Sequence, residues 1–243
     1  LVTTYGIPGY RELDPTIFLA LSFPILFGIM FGDVGHGLVL LGLGIALAAG
    51  KIKALVSFKK MGSIVAACGA SSIVFGFVFG SIFGFEELLH PIWIRPMENI
   101  MTIILVAIGF GSVILTVAYL LSLLNAARRR AWSHFLFGGT GLSALLLYWS
   151  LLGLAIGLIL PTFPVPTTVW VVAAVVSGLV TFFSELLVRV VEHRKPYIEG
   201  GIGLFLVQSF FEFFEIMIGY LSNTLSYARV GAFAVAHAGL TSV

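Results

Sequence analysis

The stretch Phe23-Pro24-Ile25-Leu26-Phe27-Gly28-Ile29-Met30-Phe31-Gly32-Asp33-Val34-Gly35-His36-Gly37 lies in the middle of an apolar run over residues 16–49. An α-helix crosses the hydrocarbon core of a bilayer in about 20 residues, so this run is too long for one crossing. Its middle is broken by Gly32-Asp33-Val34-Gly35-His36-Gly37. It therefore reads as two helices, over about 15–31 and 34–50. Asp33 stands where an aspartate side chain would cap the second helix.

Outward from this break, further apolar stretches cover 61–85, 99–124, 135–160, 166–188 and 202–243. Counting each as a helix predicts seven transmembrane spans: about 15–31, 34–50, 61–85, 99–124, 135–160, 166–188 and 203–243. The expected fold is an all-α polytopic membrane bundle in one membrane domain, 1–243, with a long, tilted last span. Composition demands lipid. Of 243 residues 59% are hydrophobic and only 10% charged, against about 25% charged in a soluble domain. Mean hydropathy is +1.11. One soluble core cannot hide that much apolar surface.

The charges test the span count. A cytoplasmic N-terminus places Arg11 inside, followed by inside loops holding Lys51, Lys53, Lys59 and Lys60, then Arg128, Arg129 and Arg130, then Arg189, Arg194 and Lys195. The outside loops hold Arg95. This alternation obeys the positive-inside rule. Merging 16–49 into one span would put Lys51–Lys60 opposite the other basic loops. Pro161, Pro164 and Pro166 fit an outer turn, and Trp93, Trp170 and Trp132 fit interfacial anchors. Glycines four apart (Gly28 and Gly32; Gly76, Gly80 and Gly84; Gly153 and Gly157) are read as close helix packing. Cys68 is read as a small buried hydrophobe.

Several chemistries are excluded. There is no phosphate-binding G-x-x-x-x-G-K-[ST] loop and no H-E-x-x-H pair. The five histidines are scattered. No cofactor or metal site is expected, and no intrinsic hydrolase. The start at Leu1-Val2-Thr3, without Met or signal peptide, reads as a piece of something longer, as does the end at Thr241-Ser242-Val243.

The last segment concentrates polar groups: Gln208, Glu212, Glu215, Asn223, Arg229 and His237 within one apolar helix pattern. A charge at membrane depth costs at least about 2.5–3.5 kcal/mol, so such residues are rare and usually functional. Read as unbroken helix, the fourteen residues from Glu215 to Arg229 make about four turns, about 21 Å, with both groups near one face. Arg229 stays protonated at working pH and cannot shuttle protons. It can hold a neighbouring carboxylate ionised and separate two aqueous half-paths, which Glu215, Glu212, Gln208 and His237 would line. Plainer readings stand beside these. Glu212 and Glu215 would be solvated at the inner interface, His237 an interhelical hydrogen-bonder, Arg229 an ion pair with Asp33 or another helix, and Glu185–Arg189 an i,i+4 salt bridge. For Asp33 the cap is preferred to a role in an ion path.

Phe23–Gly37 resembles the signature opening the membrane domain of the V-type and A-type ATPase stator subunit, subunit a or subunit I. Asn223-Thr224-Leu225-Ser226-Tyr227-Ala228-Arg229, with Ala236-His237-Ala238, resembles that family's seventh membrane helix. The resemblance implies an ion-translocating (proton or sodium) subunit of a rotary ATPase, not itself ATP-binding. It would work against a proteolipid ring of c/K type bearing intramembrane carboxylates, beside other membrane-sector and peripheral-stalk subunits. Arg229 takes the place of the family's essential arginine, and Glu215 and His237 those of its acid and histidine. The family's cytoplasmic N-terminal arm and its eighth helix, with a second arginine, are absent from these 243 residues. Val230-Gly231 after the arginine, where eukaryotic members usually read Leu-Trp, implies a prokaryotic plasma-membrane form. Two other readings are a secondary transporter of an anionic solute and a truncated structural fragment. A transporter would usually show paired repeats and broken helices in both halves, whereas only the break at 32–37 is present.

Overall fold

A computed structural model describes residues 16–50, 59–85, 88–159, 164–193 and 201–241. Ten helices run through them: α1 (Thr16–Met30), α2 (Val34–Ala48), α3 (Gly62–Phe79), α4 (Ile100–Arg128), α5 (Trp132–Phe137), α6 (Leu142–Ile159), α7 (Thr167–Phe182), α8 (Ser184–Val191), α9 (Ile202–Ser226) and α10 (Ala228–Thr241). No strand occurs among the described residues. The fold is all-α, as expected, and the chain is an integral membrane protein.

The helix boundaries refine the seven-span expectation. Four helices are long and apolar enough to cross a membrane: Lys59–Phe79, Ile100–Arg128, Trp132–Leu158 and Ile202–Thr241. A fifth is added if α7 and α8, bent by 62° at Phe183, count as one span. The break at Gly32–Asp33 falls where the sequence places it, but α1 and α2 are each 15 residues long, short of a full crossing. The expected span over 61–85 ends at Phe79, because Gly80 closes the helix in the left-handed conformation (φ +75°). The stripe Gly76–Gly80–Gly84 is therefore not a helix face, since Gly84 (φ +81°) also belongs to the following turn. The expected span over 135–160 divides at Gly138–Gly141 into α5 and α6. Of the basic loops, Arg11, Lys51, Lys53, Arg194 and Lys195 lie outside the described residues, as does Pro161.

The chain forms two compact units. The first comprises the described parts of Asp14–Ile114 and Thr224–Val243, the second Leu115–Asn223. In the first, α2 and α3 pack backbone to backbone along glycines seven residues apart, Gly37 and Gly44 on α2, Gly62, Gly69 and Gly76 on α3. A Cβ at Gly44 would strike the Ala66 backbone, at Gly62 Ala48, at Gly69 Leu41 and at Gly76 Val34. No side chain but hydrogen fits such a seam. Cys68 is buried, as the sequence suggests. Phe79, Ile103 and Ala234 make this unit's core, joined by Ile29, Phe75 and Val235. In the second unit Leu147, Tyr148 and Tyr220 form the core, and the Tyr220 hydroxyl donates to the Ala144 carbonyl at 2.7 Å. Gly153 packs on the Trp170 ring, which is half-buried there.

Candidate functional site

Asp33 organises the turn between α1 and α2. It is wholly buried, and its carboxylate accepts four hydrogen bonds. Oδ1 takes the His36 N–H at 2.8 Å and the Phe83 N–H at 3.0 Å. Oδ2 takes the Ser81 hydroxyl at 2.7 Å and the Gly84 N–H at 2.8 Å. Ser72 adds a hydroxyl bond to the Asp33 carbonyl at 3.2 Å. The expected α2 cap is thus present, and the same carboxylate also ties down the turn after α3. Burial pushes its pKa up, but the four donors more than offset that and bring it down to about 2. Phe83 holds a left-handed backbone (φ +49°), which costs about 1–3 kcal/mol. Its N–H bond to Asp33 helps hold it there.

Asp33 is fully engaged, and the alternative of an ion pair with Arg229 is not formed. Among the described residues the ion pairs join Asp33 to His36, Glu98 to Arg95, Glu192 to His134 and Glu185 to Arg189, and none includes Arg229. Arg229 sits at the start of α10. That helix buries Val230, Gly231 and Ala234, with Gly231 against the α4 backbone at Ile104 and Ala234 in the Phe79–Ile103 core. The other face, carrying Arg229, Phe233, Ala236 and Leu240, is exposed. One permanent cation therefore stands on an otherwise apolar helix face.

The last segment is not one unbroken helix. Tyr227 separates α9 from α10, and the bonds there close over three residues: Tyr227 N–H to Thr224 O at 3.2 Å and Val230 N–H to Tyr227 O at 2.9 Å. The Tyr227 ring lies over Gly111 of α4, where any side chain would collide with it. The fourteen-residue arithmetic from Glu215 to Arg229 assumed an uninterrupted helix, and this turn falls within that interval. Gln208, Glu212 and Glu215, spaced by four and three, share an exposed face of α9. Glu212 stands beside Gln208 and lies in the field of Glu185, Glu215 and Arg189. The expected Glu185–Arg189 salt bridge is formed at 2.6 Å. The approach of that pair to Glu212 had no signal in the sequence, because it depends on how α8 meets α9.

His237, on the inward side of α10, lies tilted against the Phe31 ring (centroids 4.1 Å apart) and meets the His36 ring edge-on at 5.6 Å. Its Nε2 is buried without a hydrogen-bond partner, so this nitrogen does not make the expected interhelical bond. The histidines looked scattered in the sequence, yet His36 and His237 converge beside Asp33.

Residues 1–90 match the family model of the V-type ATPase 116kDa subunit family. The A-type ATP synthase subunit I of Pyrococcus horikoshii is 28% identical over the whole chain, which spans 34% of that protein. The A-type ATP synthase subunit I of Archaeoglobus fulgidus is 43% identical over 35% of this chain and 12% of its own length. The V-type proton ATPase 116 kDa subunit a 1 of Caenorhabditis elegans is 36% identical over 34% of this chain and 10% of its own. The chain thus spans about a third or less of the length of these relatives.

Proposed function

Because the chain belongs to the V/A-type ATPase subunit a/I family, we propose that it is the ion-translocating stator of a rotary ATPase, carrying protons or sodium ions past a proteolipid ring. In this reading residues 1–243 are one membrane domain with seven spans and a cytoplasmic N-terminus in a prokaryotic plasma membrane. It works beside the other membrane-sector and peripheral-stalk subunits.

The observation that carries the proposal is Arg229, a cation exposed on the apolar face of α10 without an ion pair among the described residues. Facing lipid, such a charge costs at least about 2.5–3.5 kcal/mol. Facing a neighbour's carboxylate, it is neutralised. A ring acid arriving protonated beside the guanidinium has its ionised form favoured and releases its ion. It cannot take up another until it has moved on. Arg229 remains charged throughout and bars direct leak between the two paths. Gln208, Glu212 and Glu215 line the path on the α9 side. His237 lines the other, beside the Asp33 turn and a cavity of about 10 Å³, space for about one water, that Gly32, Phe79, Ser81 and Pro96 also border.

Arg229→Ala in the full complex tests this. ATP-driven ion uptake into vesicles is expected to vanish while the complex still assembles. Retained uptake contradicts the proposal.

A further inference from the structure

We infer that Asp33, His36 and His237 form a binding site for a divalent transition-metal ion of the zinc class, which pins α10 to the turn before α2. One ligand atom from each of the three residues lies within 4.8 Å of the other two. His36 comes from the first turn of α2 and His237 from α10, two hundred residues apart in the chain, so only the fold assembles the set.

His36 Nδ1 and His237 Nε2 are both buried without a hydrogen-bond partner. A buried polar atom left unsatisfied is costly, and here two of them sit beside one carboxylate. His36 Nδ1 stands 3.0 Å from Asp33 Oδ1, outside hydrogen-bonding alignment. A cation coordinated by His36 Nδ1, His237 Nε2 and Asp33 Oδ1, with water in a fourth position, satisfies both nitrogens at once. The cavity that His237 lines is large enough for about one water.

The donor set selects the ion. Two imidazoles and one carboxylate suit zinc, nickel or copper. Magnesium and calcium take oxygen ligands and are poorly served by it. The geometry also sets the strength. Bonds of about 2.1 Å place tetrahedral zinc ligands about 3.4 Å apart, so the two rings must close slightly on the ion. Asp33 already accepts four hydrogen bonds and is a weak third ligand. The site therefore binds reversibly, in the micromolar range, unlike the closed sites that hold structural zinc.

Binding would join the fixed turn around Asp33 to the helix carrying Arg229. Given the reading proposed above, bound zinc acts as a brake on ion flow. The binding claim itself does not depend on that reading.

The test is zinc binding to the complete complex in detergent, free of nucleotide, by titration calorimetry with Zn2+ in millimolar Mg2+. Wild type is expected to show a chelator-reversible micromolar site, one per copy of this chain. His36→Ala should weaken it by at least about tenfold, and His36→Cys, which restores a zinc ligand, should recover it. Equal titrations for the three proteins overturn the inference. X-ray absorption of the zinc-loaded wild type provides a variant-independent reading. Scattering from two imidazoles supports the site, and its absence overturns it. Zinc binding without loss of ion transport keeps the site and removes the brake.

Discussion

The helix pair α2–α3 and the last span, Ile202–Thr241, solve opposite problems with similarly apolar sequences. Along α2–α3 the glycines bring two backbones together so closely that no Cβ fits. The last span leaves its surface open: only 11% of its most apolar window is buried within the protein, against 33% for α3 and 44% for Trp132–Leu158. Yet the last span carries Gln208, Glu212, Glu215 and Arg229, all exposed. Membrane helices normally turn such groups inward, toward each other or water. On the function proposed above, a helix that turns them outward meets another chain, whereas the glycine seam holds two helices together permanently.

Substituting glycine in each region should separate these roles most sharply. Gly69→Leu drives a side chain into the Leu41 backbone. Overpacking usually costs about 1–3 kcal/mol, and against rigid backbone more is expected. Detergent-solubilised complex should lose this subunit or its thermal transition. Gly203→Leu on α9 meets nothing within 4 Å and should assemble normally. Equal damage at both sites would erase the contrast.

Asp33 gives the next largest effect. Asp33→Ala removes the α2 cap and leaves the donors of His36, Ser81, Phe83 and Gly84 without their acceptor. A loss of about 2–4 kcal/mol is expected, read as a lower thermal midpoint of the complex. Asp33→Asn keeps two acceptor lone pairs on its amide oxygen and should lie between. A midpoint unchanged in the alanine variant would show that the turn does not depend on this carboxylate.

Glu215 gives the smallest effect on stability and a distinct one on transport. It is exposed on α9, so Glu215→Gln should shift stability by no more than about 0.5 kcal/mol. Ion uptake should slow several-fold without stopping. An uptake rate equal to wild type would return Glu215 to an ordinary solvated acid.

Much of this was legible in the sequence, for identifiable reasons. The break at Gly32–Asp33, the Asp33 cap, the buried Cys68 and the Glu185–Arg189 pair are local, set by spacing and residue type within a few positions. The seven-residue glycine seam was missed because its members stand on two helices and each series looks unremarkable alone. The 62° bend at Phe183 and the turn at Tyr227 have no proline or glycine to announce them. The second depends on the Tyr227 ring finding Gly111, a contact across more than a hundred residues. Likewise, the meeting of His36 and His237 follows from α10 packing against the α1–α2 turn, which no local pattern encodes.

The central claim, that the Arg229 face meets a moving neighbour's acidic helix, is most directly tested by cross-linking. Phe233→Cys lies on that face, one turn from Arg229, and a second cysteine can be placed beside the ring subunit's intramembrane carboxylate. In the assembled complex, mild oxidation is expected to join them and to stop rotation, with reduction restoring it. A Phe233→Cys that fails to join any ring cysteine, while Ala234→Cys on the buried side of α10 does, would contradict the account.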